Sequence, residues 1–133
     1  MTGERGPCVG PGDRGSAIAE FVMVAGMLLA LFLAVVQLGL ALHVRNTLVA
    51  AAAEGARLGA SADRGPEDAA ARTRELIAEA LSERFAGAVS AVEVDGPAGP
   101  VIEVEVRATL PVVGFAGPAR ALAVRGHALE ESR

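Results

Sequence analysis

The chain has 133 residues and a formal net charge of −4, and 52% of its residues are hydrophobic although only 3% are aromatic. This length allows one small domain, whose core must be built from alanine, valine and leucine in place of ring residues. The acidic balance and the dispersed arginines argue against a nucleic-acid partner, because such binding needs clustered cations.

The first twenty residues form a polar, glycine-rich head. Residues 6–15 (GPCVGPGDRG) show no periodicity that would predict a helix or a strand. The single cysteine, Cys8, lies in this stretch, so an internal disulfide is impossible. The head ends at Glu20, a carboxylate placed directly before an apolar run. On the residues alone, Glu20 either marks a hydrated membrane boundary or is buried with a partner.

The apolar run extends from Phe21 to Leu42 and contains no charge and one amide, Gln37. As a helix it would be about 33 Å long, which is enough to cross a hydrocarbon layer of about 30 Å. A cleaved secretory signal would have a shorter apolar region and an A-x-A-like site. The run therefore predicts a transmembrane helix. Arginine counts on its two sides are nearly equal, and we expect a cytoplasmic N-terminus because the head is short.

Small residues recur at a spacing of four along this helix. Such a stripe lets two helices approach closely in lipid, although an alanine-rich chain also produces it by chance. For the stripe beyond the span, packing against the chain's own domain is an equal alternative to packing between subunits. The first stripe is Gly26, Ala30 and Ala34, and the second is Ala51, Gly55 and Gly59.

A second helix is predicted after a loop at residues 61–65. The first helix has no strong breaker before about Ala60, and Glu54 and Arg57 form an i,i+3 pair near its end. Pro66 and the two acids after it are typical of a helix start. An apolar face then continues through Phe85, with Gly87 as the stop; its members are Leu76, Ile77, Ala80, Leu81 and Phe85.

The rest of the chain alternates with a period of two, which predicts strands at residues 88–94, 101–110 and 120–128, with a turn at 96–100 and a break at Pro111 and 114–118. We expect an α+β fold, in which the second helix covers a small antiparallel sheet of about three strands. The polar face of the middle strand, formed by Glu103, Glu105 and Arg107, is interpreted as solvated, with a contact to a neighbouring subunit as the alternative.

Catalytic chemistry is not indicated. The two histidines, His43 and His127, are far apart in sequence and neither has an obvious partner. Metal-ligand spacings of histidine or cysteine are missing, and GPGDRG lacks the Lys-Ser/Thr end of a phosphate loop. We therefore predict a protein that is not an enzyme, with no catalytic residues, metal, cofactor or small-molecule substrate.

The junction between head and apolar run resembles the processing site of type IV prepilins. Gly15, then Ser16 to Ala19, then Glu20 and Phe21 precede an unbroken apolar helix, and the closest resemblance is to the TadE-like pseudopilins of Tad/Flp pilus systems. Residues 45–46 and 52–57 also resemble that family, as do residues 110–111 and 124–128 less specifically. Phe21 replaces the tyrosine of the major Flp pilins, which favours a minor, TadE-type subunit.

The resemblance implies a function. A prepilin peptidase would cut between Gly15 and Ser16, and Glu20 would pair with the new ammonium group of Ser16 on a neighbouring subunit, with Phe21 beside it. The implied organisation is a cytoplasmic leader (1–15), an N-terminal helix (16–60) and a small extracytoplasmic domain (61–133).

The implied role is a minor pseudopilin in a Tad/Flp pilus or related secretion apparatus. Its partners would be membrane lipid, the peptidase, other pilin subunits and Tad platform proteins. It would lie in a bacterial inner membrane, and in surface pili if it joins the filament. The alternatives are a signal-anchored envelope protein whose domain scaffolds or binds a partner without joining a filament, and an exported soluble protein.

Overall fold

The computed structural model describes residues 12–109 and 121–129. The predicted α+β fold is confirmed: a long apolar helix and a second helix precede a three-stranded antiparallel sheet. The elements are α1 (Gly12–Gly59), α2 (Pro66–Ala80), a 3-10 turn (Glu83–Phe85), β1 (Val89–Gly96), β2 (Gly99–Thr109) and β3 (Ala121–Leu129). Cys8, residues 110–111 and the predicted break at 114–118 lie outside the described residues.

The chain divides into two compact units, the first ending at Leu38 and the second beginning at Gly39. In the first unit the described residues all belong to α1, and every side chain described there is exposed. The helix begins at Gly12, inside the stretch for which we predicted no helix, because extending an existing helix costs far less than nucleating one. By length and composition, α1 can cross a membrane.

Helix α2 starts at the predicted Pro66, where the backbone N–H of Gly65 donates to a carboxylate oxygen of Asp68 at 3.3 Å. The prediction that this helix continues to Gly87 is wrong, because α2 ends at Ala80 and the chain turns. The 3-10 turn then brings Phe85 back into the core. Apolar residues whose spacing fits a single helix thus belong to two elements, α2 and the 3-10 turn, which pack on the same core.

The sheet has the strand order β1-β2-β3, and both pairings are antiparallel. Gly99 lies at the β1–β2 hairpin with a φ of +127°, a backbone conformation that side chains larger than glycine rarely adopt. Alternate residues of β2 face the core, as the period of two predicts. Those fully or almost fully buried are Ile102, Val104, Val106 and Ala108.

The second unit uses the last part of α1 as a core element. Val44, Leu48, Ala52 and Ala56 are buried there. Gly126 of β3 faces Ala52 so closely that an added Cβ atom would clash with the Ala52 carbonyl carbon. Both helices therefore enclose the sheet's inner face, whereas the sequence indicated α2 alone.

Candidate functional site

The four residues of the predicted processing and pairing site lie near the start of α1. Gly15, Ser16, Glu20 and Phe21 are all exposed, and a Cβ atom at Gly15 would meet nothing within 4 Å. Ser16 and Glu20 are four residues apart and so share one face of the helix. The structure thus places the Gly15–Ser16 bond and the Glu20 carboxylate on one exposed helical segment.

The two small-residue stripes of α1 have different surroundings. Gly26, Ala30 and Ala34 are exposed, and Gly26 has open space where a Cβ atom would be. The second stripe, Ala51, Gly55 and Gly59, is buried within the chain's own domain.

Contacts with α2 account for this burial. A Cβ atom on Gly55 would clash with the Thr73 hydroxyl, and one on Gly59 would lie 2.6 Å from the Ala69 Cβ. The fully buried Thr73 hydroxyl donates to the Ala69 carbonyl at 2.8 Å and reaches the Ala51 carbonyl at 3.4 Å. The second stripe therefore holds α1 against α2.

The outer face of the sheet carries alternating charges on neighbouring strands. The register places Glu103 opposite His127 and Glu105 opposite Arg125. Arg125 lies 3.8 Å from Glu103 and 3.5 Å from Glu105, and His127 Nδ1 lies 3.5 Å from Glu103. Arg107 completes this row by donating to Glu105.

The row changes the ionisation of one carboxyl group. The hydrogen bond from Arg107, helped by the charge of Arg125, holds the pKa of Glu105 below its usual value. The predicted polar face is therefore an ion-paired one. Sequence reasoning missed Arg125 and His127 as partners, because the register of β3 against β2 depends on the connection between them.

The histidines are not brought together into a site. His43 lies on α1, where its carbonyl accepts a hydrogen bond from Thr47 at 3.0 Å, and His127 belongs to the row on β3. Within residues 12–109 and 121–129, no group of three histidine, cysteine, aspartate or glutamate side chains could hold a metal ion.

These features define the class of the protein: in its described residues, one candidate membrane anchor is followed by a small α+β domain. Residues 15–57, about a third of the chain, match the family model described as TadE-like protein. The resemblance predicted from the sequence is confirmed over this segment, and the family is a structural, pilus-related one. No curated protein and no solved structure matches the chain.

Proposed function

We propose that this protein is a minor pseudopilin of a Tad/Flp pilus or a related secretion apparatus. It is made as a precursor, cut between Gly15 and Ser16 by a prepilin peptidase, and anchored by α1 with its N-terminus in the cytoplasm. Its domain lies outside the bacterial inner membrane. There it contributes to pilus assembly as a structural subunit rather than as an enzyme.

One observation carries the proposal: within the matched segment, an accessible Gly-Ser bond is followed five residues later by a carboxylate and then by a helix with no charged side chain before Arg45. A plain anchor has no need of a carboxylate at the start of its span, where burying a charge is unfavourable, though by less than the cost of about 2.5–3.5 kcal/mol at the bilayer centre on insertion scales. Cleavage creates an ammonium at Ser16. Glu20 can pair with that group on an adjacent subunit and offset the cost.

The second candidate function is that of a signal-anchored envelope protein whose domain scaffolds a complex and never enters a filament. The intramolecular burial of the second stripe favours it in one respect. Ala51, Gly55 and Gly59 are occupied by the chain's own α2 and are not available to another subunit's helix. Under this alternative the leader is retained, and Glu20 is a hydrated boundary residue.

Processing by a prepilin peptidase separates the two candidates. The full chain is expressed with and without such a peptidase, and its intact mass is measured after extraction from membranes. We expect wild type to lose residues 1–15 only when the peptidase is present, and Gly15→Leu to keep them. Gly26→Leu is the matched control, because Gly26 also has open space around it and lies within the span.

Two results of this experiment would contradict cleavage between Gly15 and Ser16. If the wild-type mass stays that of the full precursor with an active peptidase, the pseudopilin proposal is rejected and the anchored scaffold is supported. Loss of the leader from Gly15→Leu as well would show that the cut does not depend on this bond.

A further inference from the structure

Strand β1 has an unpaired edge within the described part of the chain, because the sheet order is β1-β2-β3. The backbone N–H of Arg107 donates to the carbonyl of Ala88 at 2.9 Å. In an antiparallel ladder the bonded pairs alternate, so the even-numbered residues of β1 bond to β2. The odd-numbered residues therefore direct their backbone N–H and C=O groups away from β2; they are Val89, Ala91, Glu93 and Asp95.

An independent contact confirms this direction. Arg74 of α2 donates from Nη2 to the carbonyl of Val89 at 3.0 Å, so this carbonyl faces away from β2. Beside it lies a groove of about 480 Å³, bounded on α2 by Pro66, Glu67, Ala70 and Arg74 and on the strand by residues 89–91. The edge therefore borders a concave surface at residues 89–91, where Arg74 already bonds to the Val89 carbonyl.

The outer face of the same strand carries exposed valines. Val92 is 51% exposed and Val94 is 40% exposed. The other large hydrophobic residues described as exposed in the second unit are Leu40, Leu42, Val49 and Leu129. Edge strands are normally protected by charges or prolines on their accessible side chains. The charges of β1, Glu93 and Asp95, lie on its inner-face side, and its outer face carries none. Free backbone groups combined with exposed β-branched side chains are typical of a site where another strand is added.

We propose that β1 pairs antiparallel with β1 of a second copy of this chain, across a two-fold axis that passes through Val92. The two three-stranded sheets then form one sheet of six strands. This register gives the outward backbone groups of all four odd-numbered residues a partner, with Asp95 opposite Val89 and Glu93 opposite Ala91. The Val89 carbonyl then accepts from Arg74 and also from the Asp95 N–H of the second copy. An axis through Glu93 instead would place two like charges directly opposite each other, which is unfavourable.

Charge complementarity favours a second copy as the occupant. A two-fold axis perpendicular to the sheet keeps the inner faces on one side, and Asp95 and the contact made by Arg74 are both on that side. Asp95 of one copy lies opposite Val89 of the other copy. In that other copy Arg74 donates to the Val89 carbonyl, so its guanidinium comes beside the Asp95 carboxylate. Because the two copies are related by a two-fold axis, the interface contains two such Asp95–Arg74 ion pairs. On the outer face, the two Val92 side chains meet in a non-hydrogen-bonded pair.

Disulfide crosslinking of the full chain in its membrane tests the proposal. In a non-hydrogen-bonded pair the Cα atoms are about 4.5 Å apart, within the range for a disulfide. With Cys8→Ser as background, we expect Val92→Cys to form a disulfide-linked homodimer under mild oxidation. Ser90→Cys should not crosslink to itself, but should crosslink to Val94→Cys in a co-expressed, differently tagged copy.

Two further variants make the test specific. Thr109→Cys, an exposed position on the same outer face, gives the yield from random collision. Asp95→Arg should lower the Val92→Cys dimer yield about tenfold, since each of two pairs contributes about threefold, and adding Arg74→Asp should restore it. A Val92→Cys yield no higher than that of Thr109→Cys, self-crosslinking of Ser90→Cys, or a crosslink to a different protein alone would overturn the proposal. These results do not depend on leader cleavage.

Discussion

Replacing Gly126 by alanine should strongly destabilise the domain, because β3 crosses the backbone of α1 at this residue. A Cβ atom there would clash with the Ala52 carbonyl carbon and would lie 2.5 Å from the Ala53 nitrogen and 2.6 Å from the Ala52 oxygen. Carbon atoms in contact normally stay about 3.5–4.0 Å apart. The strand and the helix would therefore have to separate by about 1 Å, which opens the packing around Val104 and Leu48.

The expected loss is about 3 kcal/mol, at the upper end of the usual 1–3 kcal/mol for overpacking, since the obstructing atoms are backbone and cannot rotate away. A small domain has about 5 kcal/mol or somewhat more of total stability. Most of it would thus be lost. The second substitution Ala52→Gly should not rescue the variant, because the three obstructing atoms remain.

The free energy of unfolding can be measured by pulse proteolysis in urea, using the full chain in detergent micelles. The chain has no tryptophan or tyrosine for fluorescence. Gly87→Ala is the matched control: nothing lies within 4 Å of its Cβ position, so we expect no loss and up to about 1 kcal/mol of gain. A loss below about 1 kcal/mol for Gly126→Ala, or rescue by Ala52→Gly, would refute the reasoning about backbone contact.

Three further predictions concern other parts of the chain. Thr73→Val should lower the free energy of unfolding by only about 1 kcal/mol, because the valine keeps the shape and the hydrogen bond to Ala69 is the main loss; a loss like that of Gly126→Ala would contradict this. The depressed pKa of Glu105 means that its stabilisation is present above a pH of about 4.5 and is lost as the pH falls through the lower folded pKa. Between pH about 6 and about 3, the urea midpoint of unfolding should therefore decrease less in Glu105→Gln than in wild type. An equal decrease in both proteins would show that the ion pairs of Glu105 do not cause the loss of stability in acid. Glu20→Gln should leave the membrane level of the chain unchanged but reduce its incorporation into pili or pilus complexes, measured by co-purification with other pilin subunits; unaffected cleavage and assembly would remove the pairing hypothesis.

The order and type of the elements could be predicted from the sequence because each has a strong local pattern. The uncharged run from Phe21 to Leu42 predicts a long helix, and alternation from Val101 to Leu110 predicts the middle strand. Pro66 with its following acids marks the start of α2. These signals depend on neighbouring residues alone, so no tertiary information was needed.

The tertiary roles of particular residues could not be predicted in the same way. Phe85 fits the apolar spacing of α2, yet it belongs to a 3-10 turn, because a side chain can reach the same core from either element. The second small-residue stripe serves equally well for contacts within a chain or between chains, and only the close approach of Gly55 to Thr73 shows which one the fold uses. Arg125 becomes a partner of Glu105 only through the register of β3.

After cleavage at Gly15, the rest of α1 is expected to stay attached to its domain and to hold it in the membrane. Cell fractions should be separated, and the intact mass of the endogenous chain determined in membranes and in the medium. We predict a single membrane-bound species that starts at Ser16 and retains both the apolar segment and the sheet domain. A domain found mainly in the soluble fraction or the medium, and lacking residues 21–42, would contradict the account.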